Sequence, residues 1–190
     1  MSMKSLERYQ KTQKQREFEY DFRQGTEQYE AWDEVKFGEE FDGQQVFEIK
    51  AEDMKSYAEC ISDPNPLFAD EKYAQKSPYG ELIPHPIFLI QILFWCIGAK
   101  GKGSWLRTPG ARNPYQRMEY YEPFRIGEKI HIKQKAHDRF IKRGKYYLTY
   151  QVDFYNQDNR KKVTWWVTLI LPKTKEDIMK FAKGERGVAI

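Results

Sequence analysis

The chain has 190 residues, of which 40% are hydrophobic and 16% aromatic. That length gives room for one domain with an extension, and that apolar content excludes a chain that is disordered throughout. Its 32 basic and 28 acidic side chains give a formal net charge of +4, a mixed surface unlike that of a nucleic-acid-binding protein. The longest apolar run, residues 84–99, is short for a bilayer. The N-terminus has no signal-peptide pattern, so we expect a cytoplasmic protein without a membrane span.

The chain is predicted to begin with a polar extension, residues 1–34, before a domain of residues 35–172. Charged residues and glutamines dominate the extension, with aromatic side chains among them at Tyr9, Phe18, Tyr20 and Phe22. This composition favours a helical arm that lies on the body of the protein. The turn at Asp42 and Gly43 leads into a strand predicted at Gln45 to Ile49.

Helical patterns extend from residue 50 to residue 98. Apolar residues recur at helical spacing at Met54, Tyr57, Ala58 and Ile61. The prolines of the sequence Asp63-Pro64-Asn65-Pro66 end this helix in a polar turn. A short second helix, about residues 70–76, is predicted to bury Tyr73 and Ala74. A third, about Pro86 to Gly98, is apolar on nearly every face, so we expect other structure to surround it.

The two cysteines, Cys60 and Cys96, lie on these helical patterns and lack the spacing of a metal or redox site. We expect both to pack as small hydrophobic residues. The sequence therefore predicts no metal centre.

Beyond a loop of residues 100–113 the pattern alternates, which predicts strands. Extended segments are predicted at Met118 to Phe124, Gly127 to Phe140, Tyr146 to Phe154 and Val163 to Leu171. The sequence Lys142-Arg143-Gly144-Lys145 predicts a hairpin turn between the second and the third. His131 and His137 share a strand face with charged residues and are expected to face solvent. The last strand is predicted to be apolar and buried on both faces, or paired with another subunit. A polar helix of residues 175–183 lies within the C-terminal tail, residues 173–190.

These elements indicate an α+β fold, a single antiparallel sheet wrapped around the central apolar helix. The same elements carry the motifs YAECISDPNPLFADEKYA, YGELIPHPIFL, YYEPFRIGEKI and YQVDFYNQDNR. In order and spacing these motifs resemble the MaoC-like hydratases and dehydratases of the hotdog fold. Within that family they are similar to the branch named for the dehydratase domain of type I fatty-acid synthases. The resemblance covers Phe37 to Pro172.

The resemblance implies that water is added to an acyl thioester, or removed from it, beside the carbonyl. In that family an Asp and a His act as acid and base, and the backbone N–H of a Gly stabilises the oxyanion. Asp63 matches the acid, and Asn65 matches the amide that orients the site. Phe68 stands where the His is expected, and Pro86, after His85, where the Gly is expected. Phenylalanine transfers no proton, and proline has no N–H.

Two roles stay open for each polar residue of the motif. Asp63 and Asn65 are either parts of an active site or caps of their own turn. His85 is either a substitute base or a structural residue at the start of a buried helix, and the second role is favoured. Substrate contacts are predicted for Phe68, Pro86, Tyr79, Tyr120 and Tyr121. The basic residues that are candidates for binding the phosphates of coenzyme A are Lys100, Lys102, Arg107, Arg112 and Arg117.

The leading hypothesis is a subunit of an enoyl-CoA hydratase or 3-hydroxyacyl-thioester dehydratase. A second MaoC-like chain with an intact Asp and His supplies catalysis, and this chain forms the substrate tunnel. The acyl-CoA or acyl-carrier thioester is the substrate, and no cofactor is expected. A homodimer is the alternative assembly. The alternative functions are a hotdog thioesterase that uses Asp63 as its base and a non-catalytic acyl-CoA-binding module.

Overall fold

The structure is a computed structural model that describes residues 10–18, 29–98 and 108–185. In these ranges the helices are α1 (Gln13–Glu17), α2 (Ala51–Cys60), α3 (Glu71–Ala74), α4 (Leu89–Ile97) and α5 (Lys175–Ala182). The strands are β1 (Glu40–Asp42), β2 (Phe47–Glu48), β3 (Arg112–Tyr120), β4 (Lys129–Lys142), β5 (Lys145–Tyr155) and β6 (Lys161–Ile170). Short 3-10 turns occur at Trp32–Glu34, Pro66–Phe68 and Pro86–Phe88.

The strands form an antiparallel sheet in the order β1-β4-β5-β6-β3, and β2 also pairs with β4. The long hairpin of β4 and β5 pairs Lys142 with Lys145 across a tight turn. Arg143 and Gly144 in this turn both have a positive φ, 52° and 71°. Turns of this kind match the right-handed twist of the flanking strands. The hairpin therefore forms where the sequence predicts it.

Helix α4 packs on one face of the sheet and forms the centre of the core. Its fully buried side chains are Leu89, Ile92, Leu93 and Cys96. They cluster with residues of the central strands that include Ile132, Leu148, Val152, Phe154 and Trp165. A helix covered on nearly all sides has to be apolar on nearly all sides. The predicted α+β architecture, with a sheet around a central apolar helix, is confirmed.

Three residues of the helical region are more exposed than the sequence predicts. Ile61 is 43% exposed, and Tyr73 is 54% exposed. Cys60 is exposed, whereas Cys96 is buried as expected. Cys60 and Ile61 follow Ala58, the last buried residue of α2. Helix α3 is a single turn that buries only Ala74. The predicted burial of Cys60, Ile61 and Tyr73 is therefore wrong.

Strand β3 differs from its prediction in position. It begins at Arg112, inside the predicted loop, and ends at Tyr120 instead of Phe124. It lies at one end of the sheet, where it pairs with β6. Most of its side chains are exposed, so its sequence lacks the alternation that marks a half-buried strand. Residues 100–107 of the predicted loop, including Lys100, Lys102 and Arg107, lie outside the described residues.

Strand β6 is buried on both faces as predicted, but its outer face includes polar side chains among apolar ones. Lys162 and Thr164 are each 2% exposed. The Lys162 ammonium pairs with Glu128 at 2.7 Å, and the Thr164 hydroxyl donates to Asp153 at 2.5 Å. These partners belong to the same chain. Burial of the strand therefore does not require a second subunit on this face.

Both ends of the chain contain the predicted helices where they are described. Helix α1 lies within the predicted N-terminal arm. Its Lys14 ammonium lies 2.5 Å from the fully buried Asp53 carboxylate of α2. Tyr9, Tyr20 and Phe22 of the arm lie outside the described residues. Helix α5 begins at a capping box formed by Thr174. The boundaries at residues 34 and 172 remain predictions. In the part of the chain that the structure describes, no helix is long and apolar enough to cross a membrane.

Candidate active site

The end of α2 fixes the position of Asp63. Ser62 adopts a left-handed conformation with φ 54°. Its N–H donates to the Glu59 carbonyl at 3.0 Å, and the Asp63 N–H donates to the Ala58 carbonyl at 3.0 Å. This pair of bonds is the Schellman motif, which ends helices and satisfies their last carbonyls. The backbone of the helix terminus therefore holds the carboxylate in place.

Asp63 lies next to His85. The distance between Asp63 Oδ2 and His85 Nε2 is 3.5 Å, and each side chain is 21% exposed. Asp63 Oδ1 accepts the Asn65 N–H at 2.9 Å, and His85 Nδ1 accepts the Ile87 N–H at 3.1 Å. Because Nδ1 is an acceptor, a neutral His85 carries its proton on Nε2, towards the carboxylate. The structure thus joins an acid and an imidazole that the sequence presents in separate segments.

The Asn65 side chain caps its own turn, which is one of its two predicted roles. Its Oδ1 accepts the Leu67 N–H at 3.0 Å and caps the 3-10 turn Pro66–Phe68. That turn places Phe68 against His85, with ring centroids 5.3 Å apart and the rings nearly perpendicular. Phe68 is only 7% exposed. Phe68 therefore packs against the imidazole from the protein interior.

A residue that the sequence does not single out, Tyr57 of α2, also faces His85. Their ring centroids lie 6.0 Å apart, and burial raises the pKa of the Tyr57 phenol. Its helical spacing correctly indicates partial burial. Only the packing of α2 against the segment before α4 brings it to the site, so the sequence carries no signal for this contact.

The backbone at the start of α4 has its N–H groups in use. Pro86 has none, and the Ile87 N–H is bonded to His85 Nδ1. The Phe88 N–H donates to the His85 carbonyl at 2.8 Å, and the Leu89 N–H donates to the Ile87 carbonyl. The N–H groups of these three residues are therefore not free to bind a ligand in their present bonding.

A cleft of about 260 Å³ opens beside this segment. Its lining includes five of the residues predicted for the site or its substrate, namely Tyr79, His85, Pro86, Tyr120 and Tyr121. The Tyr120 hydroxyl donates to the Pro86 carbonyl. Burial raises the pKa of Tyr120, and the nearby Tyr57 raises it further. The cleft is thus lined by phenol rings and has the imidazole in its wall.

The two predicted phosphate-binding arginines on β3 do not line this cleft. Arg112 and Arg117 are exposed. Arg117 pairs with Glu119 and lies over the Trp166 ring, 5.0 Å from its centroid. A cation that lies beside the cleft, Arg125, is not singled out by the sequence. Its guanidinium donates to the Tyr79 carbonyl at 2.7 Å and pairs with Glu81 at 2.9 Å. In the described ranges no three His, Cys, Asp or Glu side chains cluster as metal ligands.

Comparison with known proteins identifies the family. Residues 36–164 match the model of the family described as FAS1-like, dehydratase domain region. The chain belongs to this family. A 3-hydroxybutyryl-CoA dehydratase of Methylorubrum extorquens is 29% identical over 86 residues, which cover 45% of this chain and 52% of the relative. The match therefore spans about half the length of that relative.

Solved structures show that this dehydratase-region protein has the MaoC-like hotdog fold. A MaoC-like dehydratase of Rhodospirillum rubrum superposes with a TM-score of 0.58 at 19% identity, covering 72% of this chain and 92% of that one. The HadBC complex of Mycobacterium tuberculosis, a (3R)-hydroxyacyl-ACP dehydratase, gives a TM-score of 0.59 at 20% identity, covering 70% and 96%. The predicted resemblance and the hotdog fold are confirmed.

Proposed function

We propose that this chain is one subunit of a heteromeric acyl-thioester hydratase or dehydratase. It binds the thioester in the cleft beside Pro86 and forms part of the acyl tunnel. A second hotdog chain with a complete set of catalytic groups supplies the chemistry. Water and the thioester are the reactants, and the proposal includes no cofactor.

The state of the site is the observation that carries this proposal. The cleft and the pair of Asp63 and His85 are present. Pro86 has no N–H, and the next three N–H groups, of residues 87–89, are bonded within the segment. Loss of one oxyanion donor typically lowers the rate by about 100-fold to 1000-fold. Phe68 occupies the place of the expected base. A site of this kind retains the walls of a pocket and lacks the backbone donor at Pro86.

The edge of the sheet supports pairing with a second chain. Among the described strands, β3 pairs with β6 on one side, and its nine residues are mostly exposed. An unpaired edge strand presents backbone N–H and C=O groups that another strand satisfies. The similarity to HadBC, which is a complex of two chains, fits this arrangement. We propose that β3 is the side on which the partner docks.

The test is to purify the chain alone and together with a co-expressed MaoC-like chain that has intact Asp and His motifs. We expect the pair to hydrate crotonyl-CoA. The lone chain should be slower by a factor of at least about 100. Asp63→Asn should lower the hydration rate of the pair by less than the substitution of the catalytic acid in the partner chain lowers it. Full activity of the lone chain, abolished by Asp63→Asn, would show that this subunit is itself the catalyst.

The contact between Asp63 and His85 favours a second candidate, thioester hydrolysis. A carboxylate beside an imidazole, both partly open to solvent, can take a proton from an attacking water. In this reaction water adds to the thioester carbonyl, and the free thiol leaves. Release of coenzyme A thiol from acyl-CoA by the lone chain, with no hydrated product, would support this candidate over the first.

A further inference from the structure

The hydrogen bonds around Pro86 limit which groups of the cleft can donate to a ligand. The N–H groups of Ile87, Phe88 and Leu89 are all bonded within the segment itself. His85 directs Nε2 towards Asp63. Among the side chains that line the cleft, the remaining donors are the hydroxyls of Tyr79, Tyr120 and Tyr121.

Two of these hydroxyls have identified partners, and they differ in their position. The Tyr121 hydroxyl lies between Glu119 at 3.2 Å and Thr164 at 3.3 Å, among the polar groups of the outer sheet face. The Tyr120 hydroxyl is bonded to the carbonyl of Pro86. It therefore stands at the residue whose missing N–H removes the backbone donor.

We propose that the Tyr120 hydroxyl donates a hydrogen bond to the carbonyl oxygen of the bound thioester, in place of the backbone N–H that Pro86 lacks. This inference rests on the proposed function, because it requires that the cleft binds a thioester. The hydroxyl turns from the Pro86 carbonyl to the ligand, and one neutral hydrogen bond replaces another. Because burial raises its pKa, the phenol keeps its proton at physiological pH. Charge that develops on the thioester oxygen strengthens the bond.

The test compares two ligands that differ in the carbonyl alone, butyryl-CoA and its thioether analogue S-butyl-CoA. Calorimetry on the protein, alone and with its partner chain, should give an affinity for the thioester that is about 3-fold to 10-fold higher, as expected for one hydrogen bond. Tyr120→Phe should abolish this preference and leave the affinity for S-butyl-CoA within about twofold, because its ring is kept. Tyr73→Phe, which removes an exposed hydroxyl on α3, is the matched control and should keep the preference.

The outcomes separate the inference from the proposed function. Binding of both ligands with a preference that survives Tyr120→Phe, or that is lost in Tyr79→Phe instead, overturns the role of Tyr120 and leaves the thioester pocket intact. Binding of neither ligand by the protein or its complex overturns the proposed function, and the inference with it.

A second measurement covers the case in which Tyr120→Phe disturbs the fold. The carbonyl stretch of ¹³C-labelled butyryl-CoA should move to lower frequency on binding. Incorporation of 3-fluorotyrosine at position 120, which keeps the ring and makes the hydroxyl a stronger donor, should increase that shift. An unchanged frequency in this variant refutes the hydrogen bond.

Discussion

Replacing Pro86 should restore a donor to the site. In Pro86→Ala the backbone gains an N–H at the first position of the 3-10 turn Pro86–Phe88, where a proline sits without loss of an internal bond. Pro86 lines the cleft, and the internal hydrogen bonds of the turn use the N–H groups of the residues after it. The new N–H therefore has no acceptor within the turn and is available to a thioester oxygen.

The magnitude follows from the chemistry of oxyanion stabilisation. One added donor should raise the rate of crotonyl-CoA hydration by the lone chain about 100-fold, the lower end of the range measured for such donors. We choose the lower end because Tyr120, as proposed, already donates to the same oxygen. Loss of the proline ring should lower the free energy of unfolding by only about 0.4 to 1 kcal/mol.

The assay follows the loss of the enoyl thioester by absorbance for the lone chain. Pro66→Ala is the matched control, because Pro66 also begins a 3-10 turn and lies outside the cleft. It should have the same effect on stability and none on the rate. If both variants leave the rate unchanged, the missing N–H is not what limits this site, and the reasoning fails.

Other predictions concern stability and reactivity. Ser62→Gly should raise the free energy of unfolding by about 1 kcal/mol in urea titrations, because Ser62 is left-handed; a lower value would mean that the loop depends on the side chain. Lys14→Met should lower it by about 3 to 5 kcal/mol, because it leaves the buried Asp53 carboxylate without its ion-pair partner. A loss below about 1 kcal/mol would show that the arm is not held by this pair. At pH 8 the exposed thiol of Cys60 should react with a disulfide reagent in the folded protein. The buried thiol of Cys96 should not, since burial raises its pKa to about 12. Rapid reaction of both thiols would contradict the packing of α4.

The sequence predicts the elements that are marked by an unbroken apolar pattern or by the residues of a tight turn. Helix α4 is recognisable because every face is apolar, and the β4–β5 hairpin because Arg143 and Gly144 suit a tight turn. Strand β1 was not predicted, since its three residues have almost no buried face. The start of β3 was also missed, because an exposed edge strand has no alternation to detect.

The site was predictable in its residues and not in its contacts. The motif gives Asp63, Phe68, His85 and Pro86, but their roles depend on which groups meet after folding. The favoured structural role for His85 takes no account of the carboxylate 3.5 Å away. The contact between Asp63 and His85 depends on the Schellman motif at the end of α2 and on the hydrogen bond from the Ile87 N–H. Both are backbone hydrogen bonds that form only in the folded chain. Tyr57 and Arg125 reach the site through contacts between segments that are distant in the sequence.

The internal bonding of the 3-10 turn before α4 also affects the electrostatics of the cleft. The positive end of a helix attracts anions mainly through its free N–H groups, and here the N–H groups of residues 87–89 are already bonded. The charge of Arg125 beside the cleft is paired with Glu81. We therefore expect the phosphates of a carrier to gain little here, so that ligands are selected by their acyl and carbonyl groups and binding depends only weakly on salt.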